Sequence, residues 1–287
     1  MTKRIITIFA ALLITMALTL TSFAENAGFA IEKERALPVK TPFDKSRVEI
    51  LWNTDYGENV GVPIPDGEFV ILPTMNTVRK LGESDGKLAE VAVFDEKVST
   101  EHSGAMMRGI LVQPARTMLY AVETENMTVL CSRQFGEIVT DVALLNDLAF
   151  FGAETSDNEY AFYGAEYKHD FKTVWEYKCK APPTSPALYG DMVVFGADDK
   201  LIVHRSDSPE YKENPVGAEL TNVFAGRYSI FMTSSDGNVC KLRLLSDGSA
   251  EEDTLESCAV GKISPRPRNT TTAYTSAPQT DSSFLTD

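Results

Sequence analysis

Ser185-Pro186-Ala187-Leu188-Tyr189-Gly190-Asp191-Met192-Val193-Val194-Phe195-Gly196-Ala197-Asp198-Asp199-Lys200-Leu201-Ile202-Val203-His204 is the stretch whose reading decides the fold. A short apolar segment runs into a Gly190-Asp191 turn. The strand Met192–Gly196 that follows is apolar at every position, then comes the turn Ala197-Asp198-Asp199 and a further strand. Gly, Asp and Asn tolerate the positive φ that tight hairpin turns demand. A strand without polar alternation has no face for water, so it predicts a sheet covered on both sides.

The same unit recurs on either side. Downstream, Asn222-Val223-Phe224 leads to the turn Ala225-Gly226-Arg227, the strand Tyr228–Met232, the turn Ser235-Asp236-Gly237 and the strand Asn238–Leu242. Upstream, Val62-Pro63-Ile64 leads to Asp66-Gly67, Glu68–Leu72 and Thr77–Leu81. Weaker copies turn at Arg108-Gly109 and Asn146-Asp147. The turns Gly67, Gly109, Asp147, Asp191 and Arg227 are spaced by about 40 residues, the length of a four-stranded propeller blade. Outer strands are expected at Ala89–Phe94, Val129–Arg133 and Lys172–Tyr177. The fold class predicted is all-β: a β-propeller of four-stranded blades, about five present, in an incomplete ring. A β-sandwich also has closely spaced strands, but it need not repeat them at a fixed period.

These units resemble the PQQ-like (quinoprotein-type) repeat of β-propellers of exported bacterial type. The resemblance rests on Ser185-Pro186 through Val203, on Lys80-Leu81 with Ser84-Asp85-Gly86-Lys87-Leu88, and on Val174-Trp175-Glu176-Tyr177 and Ile50-Leu51-Trp52 as outer strands with their Trp. It covers residues 47–262. It implies stacked blades. Val48–Trp52 is expected to be an outer strand ahead of the first unit, of the kind that completes the last blade of a closed ring. Enzymes sharing the repeat use an adjacent Cys-Cys pair, a calcium ion and a catalytic Asp. Adjacent cysteines do not occur here, so no cofactor, no metal and no catalytic residue is expected.

The chain opens on Lys3 and Arg4, continues with the uncharged run Ile5–Leu20 and reaches Ser22-Phe23-Ala24, a small-x-small site. This is the pattern of a secretory signal peptide over residues 1–24, cut between Ala24 and Glu25. The apolar run is short for a membrane span of about 20 residues. Residues 25–46 read as an extended lead-in around Leu37-Pro38-Val39-Lys40-Thr41-Pro42. Residues 263–287 are rich in Ser, Thr and Pro. Two readings of them stand: a disordered tail, or a reading frame that departs before its ring is complete.

The 287 residues carry a net charge of −14, and 43% are hydrophobic and 24% charged. The composition is globular, and so acidic a surface repels phosphate backbones, so no nucleic-acid partner is expected. His102, His169 and His204 do not share metal-ligand spacing and read as surface or strand residues. Asp198, Asp199 and Asp236 are expected as turn residues. Met106-Met107 and Tyr160, Phe162, Tyr163, Tyr167 and Phe171 are expected in strand cores. Cys131, Cys179, Cys240 and Cys258 are widely spaced; Cys240 and Cys258 fall in one blade and are a candidate disulfide, with free buried thiols the alternative.

Together these observations point to an exported, extracytoplasmic, non-enzymatic propeller that binds an unknown protein or cell-envelope ligand and has no membrane span after signal cleavage. The alternatives are a fragment of a quinone (PQQ)-dependent dehydrogenase-like enzyme, or a truncated frame without independent function.

Overall fold

The structure is a computed structural model and describes residues 50–56, 59–156, 159–251 and 256–259. The proposed signal peptide with its Ala24/Glu25 cut, the lead-in 25–46 and the tail 263–287 lie outside these residues.

The described chain is all-β, arranged as five antiparallel sheets in sequence order. Blade 1 is β1 (Ile64–Asp66), β2 (Phe69–Thr74), β3 (Thr77–Gly82) and β4 (Leu88–Val93). Blade 2 is β5 (Ala105–Met107), β6 (Ile110–Pro114), β7 (Met118–Glu123) and β8 (Thr128–Gln134). Blade 3 adds the short β9 (Glu137–Ile138), paired with β11, to β10 (Ala143–Leu145), β11 (Leu148–Ser156), β12 (Glu159–Glu166) and β13 (Lys172–Cys179). Blade 4 is β14 (Ala187–Tyr189), β15 (Met192–Ala197), β16 (Lys200–Arg205) and β17 (Tyr211–Pro215). Blade 5 is β18 (Leu220–Ala225), β19 (Ile230–Ser234), β20 (Asn238–Leu242) and β21 (Glu256–Ala259). The expected outer strands are β4, β8 and β13.

First strands of neighbouring blades touch: β5 with β10, β10 with β14, β14 with β18. The last strands β4, β8 and β17 are mostly exposed. The first strands therefore line the axis. Four apolar clusters join the blades in chain order. They pack blade 1 on blade 2, blade 2 on blade 3, blade 3 on blade 4, and blade 4 on blade 5. Of these clusters, not one joins blade 5 back to blade 1. Among the described residues the arrangement is an open arc.

A repeated device sets the inner edge. Thr140 Oγ1 accepts from Gly152 N at 2.7 Å in blade 3, and Thr184 Oγ1 accepts from Gly196 N at 2.8 Å in blade 4. Between blades, Asp141 Oδ1 accepts from Ser103 N at 2.7 Å, and Ser185 Oγ accepts from Asp141 N at 3.1 Å. The residues just before each first strand thus tie blades 2, 3 and 4 together by hydrogen bonds close to the axis.

Two expectations are corrected. The outer strand expected at Val48–Trp52 is not formed by its described part: Ile50, Leu51 and Trp52 lie outside any strand. Blade 5 already owns four strands through β21, so it leaves no slot for that segment. The turn of blade 5 sits at Arg227-Tyr228, closed by Gly226 N donating to Ser229 O at 2.8 Å, one residue later than the sequence pattern placed it.

Candidate functional site

Each blade has one face toward the following blade and one toward the preceding blade. The paired positions on β1/β2 and their counterparts define the forward face: Ile64/Ile71, Ala105/Val112, Ala143/Phe150, Ala187/Val194 and Phe224/Phe231. In blades 1–4 every one of these residues is buried, with Ile71, Val112, Phe150 and Val194 at 0% exposure. In blade 5 the same positions carry two phenylalanines and stand open: Phe224 is 55% and Phe231 41% exposed. Tyr228, on the turn beside them, is also exposed and lies under the Arg227 guanidinium at 4.9 Å. Isolated apolar residues on a surface are ordinary; here two aromatic rings stand side by side at a position that the other blades bury.

Blade 1 presents the opposite end, and there the chain covers itself. Trp52 Nε1 donates to Glu83 O at 2.7 Å, in the turn between β3 and β4. Gly86 in that turn has φ +63°, and a Cβ there would lie 2.5 Å from the indole, so glycine serves both the turn and the approach. Tyr56 lies under the Arg79 guanidinium at 4.5 Å, and Val60 bridges Thr74 at the inner edge. Leu72 and Leu81 of this backward face are buried, whereas Leu88, Val91 and Val93 stay exposed.

A cleft of about 510 Å³ opens between blades 1 and 2, lined by Asp66, Glu68, Phe69, Lys80, Arg108 and Glu123 among others. Lys80 is buried at its base. Its ammonium donates to Thr124 O at 2.7 Å and Glu125 O at 3.3 Å and sits 4.4 Å from the Phe69 ring centroid. A buried ammonium needs such acceptors, since desolvation without them is prohibitive. The lining is charged and suits a polar group. The polar network continues along the turns: Asp147 pairs with Lys168 at 2.8 Å and Arg108 at 3.9 Å, Asn146 Nδ2 donates to Ser206 Oγ at 2.6 Å, and Arg205 pairs with Asp191 at 2.8 Å. The hydrogen bond from Lys168, reinforced by charge, holds the Asp147 carboxyl below its ordinary range.

The sequence candidates fall where strands and turns need them. His204 is buried, stacks on Trp175 at 4.2 Å and bonds the Glu210 carbonyl through Nδ1; burial lowers its pKa. His169 is exposed and pairs with Glu166 at 3.2 Å, and His102 N donates to Ser99 Oγ. Asp198 Oδ1 accepts from Lys180 N and Ala181 N, tying its turn to the segment that leaves β13, and Asp236 accepts from Ser234 and Asn238. Met106 is buried between blades 1 and 2, and Met107 packs partly buried against the blade 2–3 cluster. Phe162, Tyr163, Tyr167 and Phe171 are core residues, and Tyr160 packs against the blade 3–4 cluster. Phe162 stacks on Phe195 at 3.7 Å across that interface.

Cys131, Cys179 and Cys240 are free. In the β20–β21 register Cys240 stands opposite Ser257, and Cys258 opposite Val239, so the two cysteines are not cross-strand partners. Burial raises the thiol pKa of Cys131 and Cys240, and pushes Cys179 up to about 12 with help from Asp198. Thiols held protonated in this way are poor nucleophiles. Among the described residues, no group of three His, Cys, Asp or Glu is placed to hold a metal, and no helix is long and apolar enough to cross a membrane.

No protein-family model matches the sequence, and no curated protein matches it significantly. Solved structures resemble it in shape. Quinohemoprotein alcohol dehydrogenase ADHIIG from Pseudomonas putida HK5 aligns with TM-score 0.53 at 10% identity, over 70% of this chain and 42% of that one. Hsv2p from Kluyveromyces lactis aligns with TM-score 0.51 at 13% identity, over 66% and 63%. BamB from Moraxella catarrhalis aligns with TM-score 0.49 at 13% identity, over 63% and 58%. The chain spans less than two thirds of each. The fold is a β-propeller of four-stranded blades. Identities this low speak to the fold alone.

Proposed function

We propose that this protein is an exported, non-enzymatic propeller that works as a binding or assembly module at the cell envelope. One observation carries the reading: Phe224 and Phe231 occupy positions that the other four blades bury against a neighbour, yet they are exposed at the end of the arc. The Lys3–Ala24 pattern supports export. A photo-crosslinking residue at Tyr228, compared with one at Leu130 on the exposed strand β8, tests the reading in exporting cells. Adducts with an identified envelope protein or a second copy of the chain at 228, and not at 130, are expected. No adduct at 228, or equal labelling at both positions, contradicts it.

A further inference from the structure

The two ends of the arc are related by the repeat, and this relation has a chemical signature. On the forward face of blade 1, Lys80 stands opposite Ile71. Its ammonium reaches across the interface to Thr124 O in the β7–β8 turn of blade 2. Thr124 is fixed there by its own N–H, which donates to Gly109 O. In blade 1 the counterpart of Thr124 is Glu83, whose N–H donates to Glu68 O in the same way. The Glu83 carbonyl is therefore the acceptor that a preceding blade would fill. No preceding blade is described, and the indole N–H of Trp52 fills it instead, at 2.7 Å. At the other end, the residue opposite Phe231 on the forward face of blade 5 is Lys241, which holds the position of Lys80.

We propose that the backward face of blade 1 is a docking surface for blade 5 of a second copy of this chain, and that the Ile50–Tyr56 strap is its intramolecular competitor. The proposal rests on the module reading above and names its partner. Docking repeats the blade 1–blade 2 interface between molecules. Phe224 and Phe231 meet the backward face that carries Leu88, Val91 and Val93, and Lys241 replaces Trp52 at Glu83 O. The contact is head-to-tail, because a forward face meets a backward face. A tethered strap has a high effective concentration, so the intact chain keeps its blade 1 end capped and is a monomer in dilute solution.

Sedimentation velocity of the purified full chain over a concentration series tests this. Trp52→Ala is expected to self-associate at concentrations at least about tenfold below wild type. Trp52→Phe keeps the ring over Gly86 and loses only the N–H donor; it is expected to fall between the two, which guards against an unfolded alanine variant. Adding Phe231→Lys to Trp52→Ala is expected to restore the monomer. That double variant, with blade 1 open and blade 5 blocked, is expected to form a one-to-one dimer with Trp52→Phe or wild type, whose blade 5 is intact. Trp52→Ala and Trp52→Phe that remain monomeric overturn the proposal, as does association that persists with Phe231→Lys. If they remain monomeric while residue 228 still cross-links to another envelope protein, only the second-copy docking falls. Loss of the 228 cross-link as well removes the module reading with it.

Discussion

Blades 4 and 5 carry the same forward pair in opposite surroundings. In blade 4, Ala187 and Val194 are buried under blade 5 and belong to a continuous cluster with Leu220, Val223, Ile230 and Met232. In blade 5, Phe224 and Phe231 hold those positions with solvent in front of them. The sheets are alike in strand order, and the forward pair stands at the same distance from its hairpin turn in both, so the difference lies in what stands next along the arc. A blade's apolar faces gain their stabilisation only from a neighbour. Apolar side chains at one blade position are thus buried structure in the middle of the arc and exposed at its end.

The comparison breaks most visibly at the blade 3–4 interface. Phe195 stacks on Phe162 and lies beside Trp175 and Tyr177. Phe195→Ala is expected to destabilise by about 3–5 kcal/mol, measured by denaturant unfolding. Gly196 follows it. A Cβ there would lie 2.7 Å from Leu220 Cβ of the next blade, so Gly196→Ala is expected to cost about 1–3 kcal/mol by overpacking.

A smaller effect depends on pH. Burial depresses the folded pKa of His204 below its unfolded value near 6.5, so the unfolded chain binds the extra proton. The stability contribution is complete above pH 6.5 and declines as pH falls from there toward the folded pKa. Thermal unfolding of wild type is therefore expected to weaken between pH 7 and pH 5. His204→Phe, which keeps a ring against Trp175, is expected to flatten that decline. The carboxylates with lowered pKa, such as Asp147 and Glu213, act at lower pH and leave this window to the histidine.

The smallest effect is at the open end. Phe231→Ser is expected to change folding stability by no more than about 0.5 kcal/mol, because its side chain has no blade to lose. A loss comparable to that of Phe195→Ala would show that blade 5 is covered.

The blades were legible in the sequence because each repeats its own period and turn chemistry: Gly190-Asp191, Arg108-Gly109 and Asn146-Asp147 all sit where hairpins turn. The outer strands were legible for the same reason. The strap was not. Ile50-Leu51-Trp52 has strand composition, but strand pairing needs a free edge, and β21 supplies the last strand of blade 5. Trp52 instead finds a carbonyl, Glu83 O, set by a turn remote in sequence. Which residues of β20 and β21 stand opposite one another depends on the long connection between them, which composition does not encode. Lys80 was visible as part of a repeat motif, but its role depends on the next blade's turn carbonyls, a contact that periodicity does not reveal.

The central claim is that the arc is open at blade 5. Hydroxyl-radical footprinting of the dilute monomer measures it at the residues concerned, by comparing oxidation of Phe224 and Phe231 with that of Phe150 and Phe195. Rapid modification of the first pair and protection of the second is predicted. Equal protection of all four would show that the ring is closed and contradict the account.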